Sequence, residues 1–502
     1  PDILFNSIST LVSITVLLPY LAEYLSPAEK REAEAHSLFN QVFTVFMLVM
    51  VVICGILIII MPALVHLVAP GFSANELHQL SNVSRIMLLS PVLLGLSNLF
   101  GSISQLYKRF FVYASAPVLY NIGILAGIFL FLPQFGVYGL AWGVALGAGL
   151  HVLIQLPVLI NQKFLPHIVT KIDWSKMKGI FFTSLPRSLA LSLNSFVLFI
   201  IVAIASTIRD GSISIFNFSY NLQAVPIAII GLSYGVAAFP VLAQAFAKGD
   251  MELYKKQVIS TAKQILFWAL PVVSLFIVLR AQIVRVILGS GAFSWDDTRL
   301  TAAALALFAL SVVGQCFIIL FTRAYYAAGQ TRRPLFINLF FTASEIIFAL
   351  LFFFAFKSSV TFQFFIESLL RVDNVPGTLV LMLPLGYSLG TILNGVFLWV
   401  IFKKDFIKEK MHFLTKPFIE SLGTSCIMGV VAYISLSSLA HLFNTNSGFG
   451  VFGLGFVSGI FGIASGVIML RVLKNEEYIL VTRALTRRIF RAKILGEGQK
   501  EL

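Results

Sequence analysis

Long apolar runs constrain this chain more than any other feature. They recur along nearly all of its 502 residues. Most reach or exceed the roughly 20 residues that a helix needs to cross hydrocarbon. Short polar clusters separate them, so the pattern is a series of spans and not one buried core inside a polar shell. Thirteen runs can be drawn: 3–21, 38–68, 85–106, 112–132, 137–160, 179–207, 213–245, 258–288, 300–328, 335–356, 378–402, 417–443 and 449–473. Only 12% of the residues are charged, mean hydropathy is +0.92, and a soluble chain carries about 25% charge. The 48 Phe and 35 Gly suit lipid-facing bulk alternating with close helix contacts.

The net charge of +14 would suggest nucleic acid on a soluble protein. Here the basic residues mark the ends of spans and set topology. Alternate loops on one side hold eighteen Lys and Arg, from Lys30-Arg31 and Lys108-Arg109 to Lys403-Lys404 and Lys416; the opposite loops hold Arg209, Arg299, Lys357 and Arg371. The first side is therefore cytoplasmic, and no nucleic-acid partner is expected. Cys54, Cys316 and Cys426 all lie in apolar runs without metal-ligand spacing. Neither a metal site nor a nucleophile–base pair is expected, and the chain does not read as an enzyme. Residues 475–502, with Arg483, Arg487, Arg488, Arg491 and Lys493 among apolar neighbours, are expected to form a basic amphipathic helix on the anionic inner leaflet.

The first half echoes the second. Pro19-Tyr20-Leu21-Ala22 recurs as Pro240-Val241-Leu242-Ala243, and Ala69-Pro70-Gly71-Phe72 as Ser290-Gly291-Ala292-Phe293, both 221 residues on; Pro117 and Asn121 recur as Pro334 and Asn338. The repeated units lie six spans apart, an even number, so both halves share one orientation. Parallel repeats of this kind build two-lobed transporters.

At this point the residues resemble the MurJ/MviN flippases of the multidrug/oligosaccharidyl-lipid/polysaccharide exporter superfamily. The resemblance rests on Leu18-Pro19-Tyr20-Leu21-Ala22-Glu23-Tyr24, Ala69-Pro70-Gly71-Phe72, Leu185-Pro186-Arg187, the run from Pro226 to Pro240, and Tyr326-Ala327-Ala328-Gly329-Gln330-Thr331-Arg332-Arg333-Pro334. It implies an all-α polytopic membrane protein of two parallel six-helix lobes plus two C-terminal helices, with about 13 of 14 spans in this chain. The expected division is an N-lobe over 1–160, a cytoplasmic linker over 161–178, a C-lobe over 179–402, two further spans over 403–474 and a basic tail over 475–502. The implied activity is movement of lipid II, a lipid-linked cell-wall precursor, from the inner to the outer leaflet of the bacterial cytoplasmic membrane by alternating access. No cofactor is implied; membrane potential or an ion of unknown identity drives the cycle. Partners are the lipid-linked oligosaccharide, membrane lipids and cell-wall synthesis proteins. The sequence departs from the family pattern in lacking the family's first helix and its cavity arginines. Phe5-Asn6 and Tyr220-Asn221 stand where the family has Arg-Arg and Asp-Arg. A polysaccharide-repeat flippase, a drug exporter of the same superfamily and a transport-dead scaffold are therefore competing readings.

Charges well inside spans are costly and mark candidate function. Lys263 aligns with a cavity arginine of the family and is expected to face a cavity between the lobes; Arg187 follows Pro186 and can reach a phosphate or snorkel. Glu345 is deepest and reads as a structural hydrogen-bond partner. Asn6, Asn221 and Gln223 are polar candidates for the cavity wall, against the alternative of interhelical hydrogen bonding. Pro19, Pro186, Pro226, Pro240 and Pro271 supply bends. The outer segment 357–377 is expected to hold a short interfacial helix.

Overall fold

A computed structural model describes residues 21, 24, 31–407, 413–483 and 486. Among them there is no strand. Ten helices are long and apolar enough to cross a membrane, eleven if the bent pair Trp295–Ala309 and Val312–Ala327 is one span. The expected span at 3–21 lies almost wholly outside the described residues. The chain divides into two compact units, Pro1–Thr207 and Ile208–Leu502.

Unit 1 contains α1 (Glu32–Val68), α2 (Ala74–Met87), α3 (Leu89–Leu106), α4 (Phe110–Ala126), α5 (Val137–Leu153), α6 (Leu156–Asn161) and α7 (Trp174–Ser206). Helix α7 groups with the first unit by contact, whereas the division implied by the family resemblance places 179 onwards in the second lobe. In a bilayer, two helices gain little from hiding apolar surface, so close backbone approach supplies the attraction. The α4–α5 contact follows this rule. A Cβ added to Gly123 would lie 2.2 Å from Gly147 Cα, and one added to Gly143 would lie 2.4 Å from Gly127 Cα.

Unit 2 contains α8 (Ser212–Pro226), α9 (Ser233–Ala247), α10 (Met251–Val278), α11 (Arg280–Leu288), α12 (Trp295–Ala309), α13 (Val312–Ala327), α14 (Arg332–Ser358), α15 (Val360–Leu370), α16 (Met382–Phe402), α17 (Thr415–Leu439) and α18 (Gly448–Val472). The expected span 258–288 is broken at Leu279 into α10 and α11. The short helix expected within 357–377 is α15. A widened π turn, Ile227–Leu232, joins α8 to α9 directly after Pro226, whose missing N–H disturbs the regular ladder there. The core packs Tyr254, Phe321, Tyr325 and Phe402 with almost no exposure. Tyr325 Oη donates to Asp405 Oδ2 at 2.8 Å, and Arg333 pairs with Asp405 at 3.0 Å.

The internal repeat is visible in local stereochemistry. Ser73 and Ser294 are both extended N-caps with complete capping boxes, closed by Glu76 and Asp297, and 294 − 73 = 297 − 76 = 221. Lys108 and Gly329, again 221 apart, both take left-handed φ, +57° and +71°. The turns close with equivalent bonds, Arg109 N–H to Ser104 O at 2.7 Å and Gln330 N–H to Tyr325 O at 2.9 Å. The spans also break at equivalent places, at Leu88 between α2 and α3 and at Leu310-Ser311 between α12 and α13.

Candidate functional site: a cation above an apolar groove in unit 2

Asp250 caps α10 by accepting from Leu253 N–H at 2.9 Å, which starts a helix of 28 residues. Lys263 lies in its fourth turn. Residues 7 and 11 positions further fall within about 20° of it at 100° per residue, so Lys263 shares a face with Leu270 and Ser274. That face meets α17: Ser274 Oγ donates to Ser425 O at 2.6 Å.

The same face opens onto a cavity of about 640 Å³ among α10, α13, α16 and α17. Its wall is nearly all apolar, including Leu266, Leu270, Phe317, Trp399 and Phe418, with Ser274 and Thr415 as minor polar spots. Leu266, one turn beyond Lys263, is a wall residue. Lys263 therefore stands one helical turn before the groove wall, on the side of the Lys255-Lys256 pair.

The Lys263 side chain is 26% exposed, and its Nζ lies 3.7 Å from Glu476 Oε2. Glu476 is brought there by a tight turn after α18. Lys474 takes a left-handed φ of +50°, and Asn475 N–H returns to Leu470 O at 3.1 Å. Asn475 is 1% exposed. Its Nδ2 donates to Glu420 Oε2 of α17 at 2.7 Å, and its Oδ1 accepts from Tyr478 N–H at 3.0 Å, capping a helix over 476–483. The start of the basic tail is thus pinned across α10 and α17.

The other candidates do not join Lys263 in one described site. Asn6 lies outside the described residues. Arg187 falls within α7, and its side chain is outside them. Gln223 is buried; its Oε1 accepts from Ser311 Oγ at 2.9 Å and from Gln315 Nε2 at 3.5 Å, at the α12–α13 break. Asn221, two residues away, is exposed, as expected for positions about 200° apart on a helix. Glu345 on α14 is 6% exposed and accepts from Thr391 Oγ1 of α16 at 3.0 Å. Gly390 makes this approach possible, since a Cβ there would lie 2.6 Å from Glu345 Cγ.

Two in-span groups were missed in the sequence. Arg323 of α13 lays its stem against Gly235 of α9, 3.3 Å from where a Cβ would stand. His151 of α5 belongs to a buried polar cluster with Ser97 and Gln155. Scanning the spans for every ionisable residue, His included, would have found both. Among the described residues no His, Cys, Asp or Glu group could hold a metal ion.

A family model described as lipid II flippase MurJ matches residues 13–452. The chain belongs to the MurJ lipid II flippase family. A probable lipid II flippase MurJ of Borreliella burgdorferi is 26% identical over 331 residues, 65% of this chain and 64% of that protein. This chain therefore aligns with slightly less than two thirds of that relative's length. A probable lipid II flippase MurJ of Rickettsia prowazekii is 27% identical, over 65% of this chain and 64% of that protein. Among solved structures, a lipid II flippase MurJ in an inward closed conformation matches with a TM-score of 0.72 and 18% identity, covering 95% of this chain and 91% of that one. An inward-facing multidrug resistance MATE transporter matches with a TM-score of 0.65 and 16% identity, covering 81% and 88%. The MurJ fold, all-helical and multi-pass, is thereby shown, and with it placement in the bacterial inner membrane.

Proposed function

We propose that this MurJ-family chain moves a lipid-linked, anionic cell-wall precursor of the lipid II type from the inner to the outer leaflet, by alternating access between its two lobes. It relocates its substrate without a covalent step. The observation that carries this reading is Lys263, a cation one helical turn from the apolar wall of the unit 2 groove. A polyisoprenoid or acyl chain in that groove exchanges one apolar environment for another, so the groove supplies shape and the cation supplies discrimination. A pyrophosphate brings at least two charges to an ammonium now facing one carboxylate. The Lys263–Glu476 pair is easily given up, because Glu476 is mostly exposed and such pairs contribute about 0.2–1 kcal/mol. Arg187, Asn6, Asn221 and Gln223 remain further candidates for contact with the headgroup. Cell-wall synthesis proteins are proposed partners.

Lys263→Ala should lower lipid II flipping in proteoliposomes roughly tenfold, one charge-assisted contact of about 1.4 kcal/mol. Lys263→Arg should retain most of it. Full activity of the alanine variant at equal reconstitution would remove Lys263 from the site. The structural likeness to a MATE transporter keeps drug export as a second reading; export of cationic dyes without lipid II flipping would favour it. A chain that moves neither, while still supporting growth, would be a scaffold.

A further inference from the structure

The α5–α6 break in unit 1 holds a polar cluster with no part in the reading above. Pro157 cannot donate to the helical ladder, and the chain leaves regular helix at Ile154-Gln155. The Gln155 N–H turns to Val152 O at 3.0 Å, so His151 O loses the donor that a continuing helix would provide. Side chains replace it. Ser97 Oγ of α3 donates to His151 O at 2.8 Å, and Gln155 Nε2 donates to it at 3.3 Å. Gln155 Nε2 also donates to Ser97 O at 3.1 Å and to Ser97 Oγ. The His151 ring closes the cluster, with Nδ1 2.6 Å from Ser97 Oγ. Ser97 and Gln155 have no exposed surface.

Ser97 therefore has one proton and two acceptors within reach, the His151 carbonyl and, in one tautomer, His151 Nδ1. We propose that Ser97, His151 and Gln155 form a proton-binding site that sets the stiffness of the α5–α6 hinge. In the neutral tautomer whose Nδ1 is bare, the Ser97 hydroxyl divides itself between Nδ1 and the freed carbonyl. When a proton from water adds to the ring nitrogen lone pair, both ring nitrogens become donors. Nδ1–H must then donate to Ser97 Oγ, and the hydroxyl proton turns wholly to the His151 carbonyl. The protonated cluster clamps the break and the neutral one loosens it. Histidine suits this role because a single added proton turns its one ring acceptor into a second donor.

The surroundings leave His151 as the titrating group. From α4, Tyr120 presents its ring edge-on at 6.4 Å between centroids, and Tyr113 lies beside Gly101 and Gln155 Oε1. Helix α3 offers only hydroxyls here, Ser97 and Ser104, the latter donating to Gln155 Oε1 at 3.5 Å. Helix α6 and residues 127–135 hold no titratable group. On α2, Glu76 bonds within its capping box and His78 lies in the following turn, both at the opposite end of the span; Arg85 donates to Ile58 O and Asn82 Oδ1. Tyr138 stands at the far end of α5.

The test uses the full chain in lipid nanodiscs. Amide hydrogen exchange over 156–161, corrected for its intrinsic pH dependence, should be roughly fivefold slower at about pH 5.5 than at about pH 8. His151→Asn keeps a donor near the Nδ1 position but does not titrate, so it should show the slow exchange at both pH values. Ser97→Ala removes the shared hydroxyl and should show fast exchange at both. In histidine-labelled protein, the ring nitrogen signal that disappears in His151→Asn should titrate within that interval. A ring that stays neutral throughout, or a pH response that survives in either variant, overturns the proposal.

Discussion

At the scale of single residues, the buried charges in this chain are settled by small local arrangements. Glu345 illustrates how. Its carboxyl is held by the Thr391 hydroxyl, and among the described residues it forms no ion pair. The arrangement exists only because Gly390 has no side chain. Gly390→Ala would push a methyl to 2.6 Å from Glu345 Cγ and 2.7 Å from its Cα. Overpacking of this kind costs about 1–3 kcal/mol, and a lower melting temperature in detergent should record it. Glu345→Gln keeps an acceptor for Thr391 and should stay within about 1 kcal/mol of the parent by the same measurement. Two arginines near the end of α15 are also explained locally. Arg280 donates to Leu370 O at 2.9 Å and Arg299 to Arg371 O at 2.8 Å, so both guanidiniums cover freed carbonyls at the end of α15. Arg280→Ala should therefore release the segment 371–377 and speed its cleavage by an added protease several-fold.

At the scale of elements, glycine placement decides which helices can approach. Within α5, Gly147 and Gly149 are two residues apart and face different surroundings. A Cβ at Gly147 would lie 2.4 Å from Tyr120 O, while at Gly149 it would meet nothing within 4 Å. Gly147→Ala should destabilise unit 1 by about 1–3 kcal/mol. Gly149→Ala should be neutral or stabilising by up to about 1 kcal/mol, because alanine restricts the unfolded chain and favours helix. Thermal melting of the two variants side by side checks both signs, and equal destabilisation would show that the contact is looser than described. The sequence carried these glycines without distinguishing them, since only the crossing of α4 and α5 tells one from the other. It was better at repeated devices. The turn matched by its 221-residue offset proved to be followed by the Ser73 and Ser294 capping boxes, because capping chemistry is local and survives divergence of the surrounding side chains.

At the scale of the whole molecule, the charge asymmetry makes a topology that can be measured. A cysteine at Ser447, in the turn before α18, should react with an impermeant thiol reagent from outside the cell. One at Gln499 should react only after the membrane is permeabilised. Labelling of both from one side would remove the basis for calling the Lys-rich loops cytoplasmic.

The sequence by itself determined the class of the molecule: helical, multi-pass, internally repeated and of the MurJ type. Those properties rest on apolar run length, loop charge and local turn chemistry, each readable along the chain because each acts over a few residues or through the bilayer. It also singled out Lys263 and Glu345, charges set among apolar neighbours, but passed over Arg323 in the span 300–328. The tertiary structure alone decided what those charges meet. Lys263 reaches Glu476 across 213 positions of sequence (476 − 263), through the turn at Asn475. Gln223 turned inward to Ser311 while Asn221 stayed exposed, a difference of about half a helical turn against a neighbour far along the chain. The His151 cluster joins α3 to the α5–α6 break through side chains 54 and 58 residues apart. Apolar patterning marks which faces avoid water, but in lipid nearly every face does so. Which polar groups converge is therefore fixed by helix crossings, and those appear only once the helices are packed.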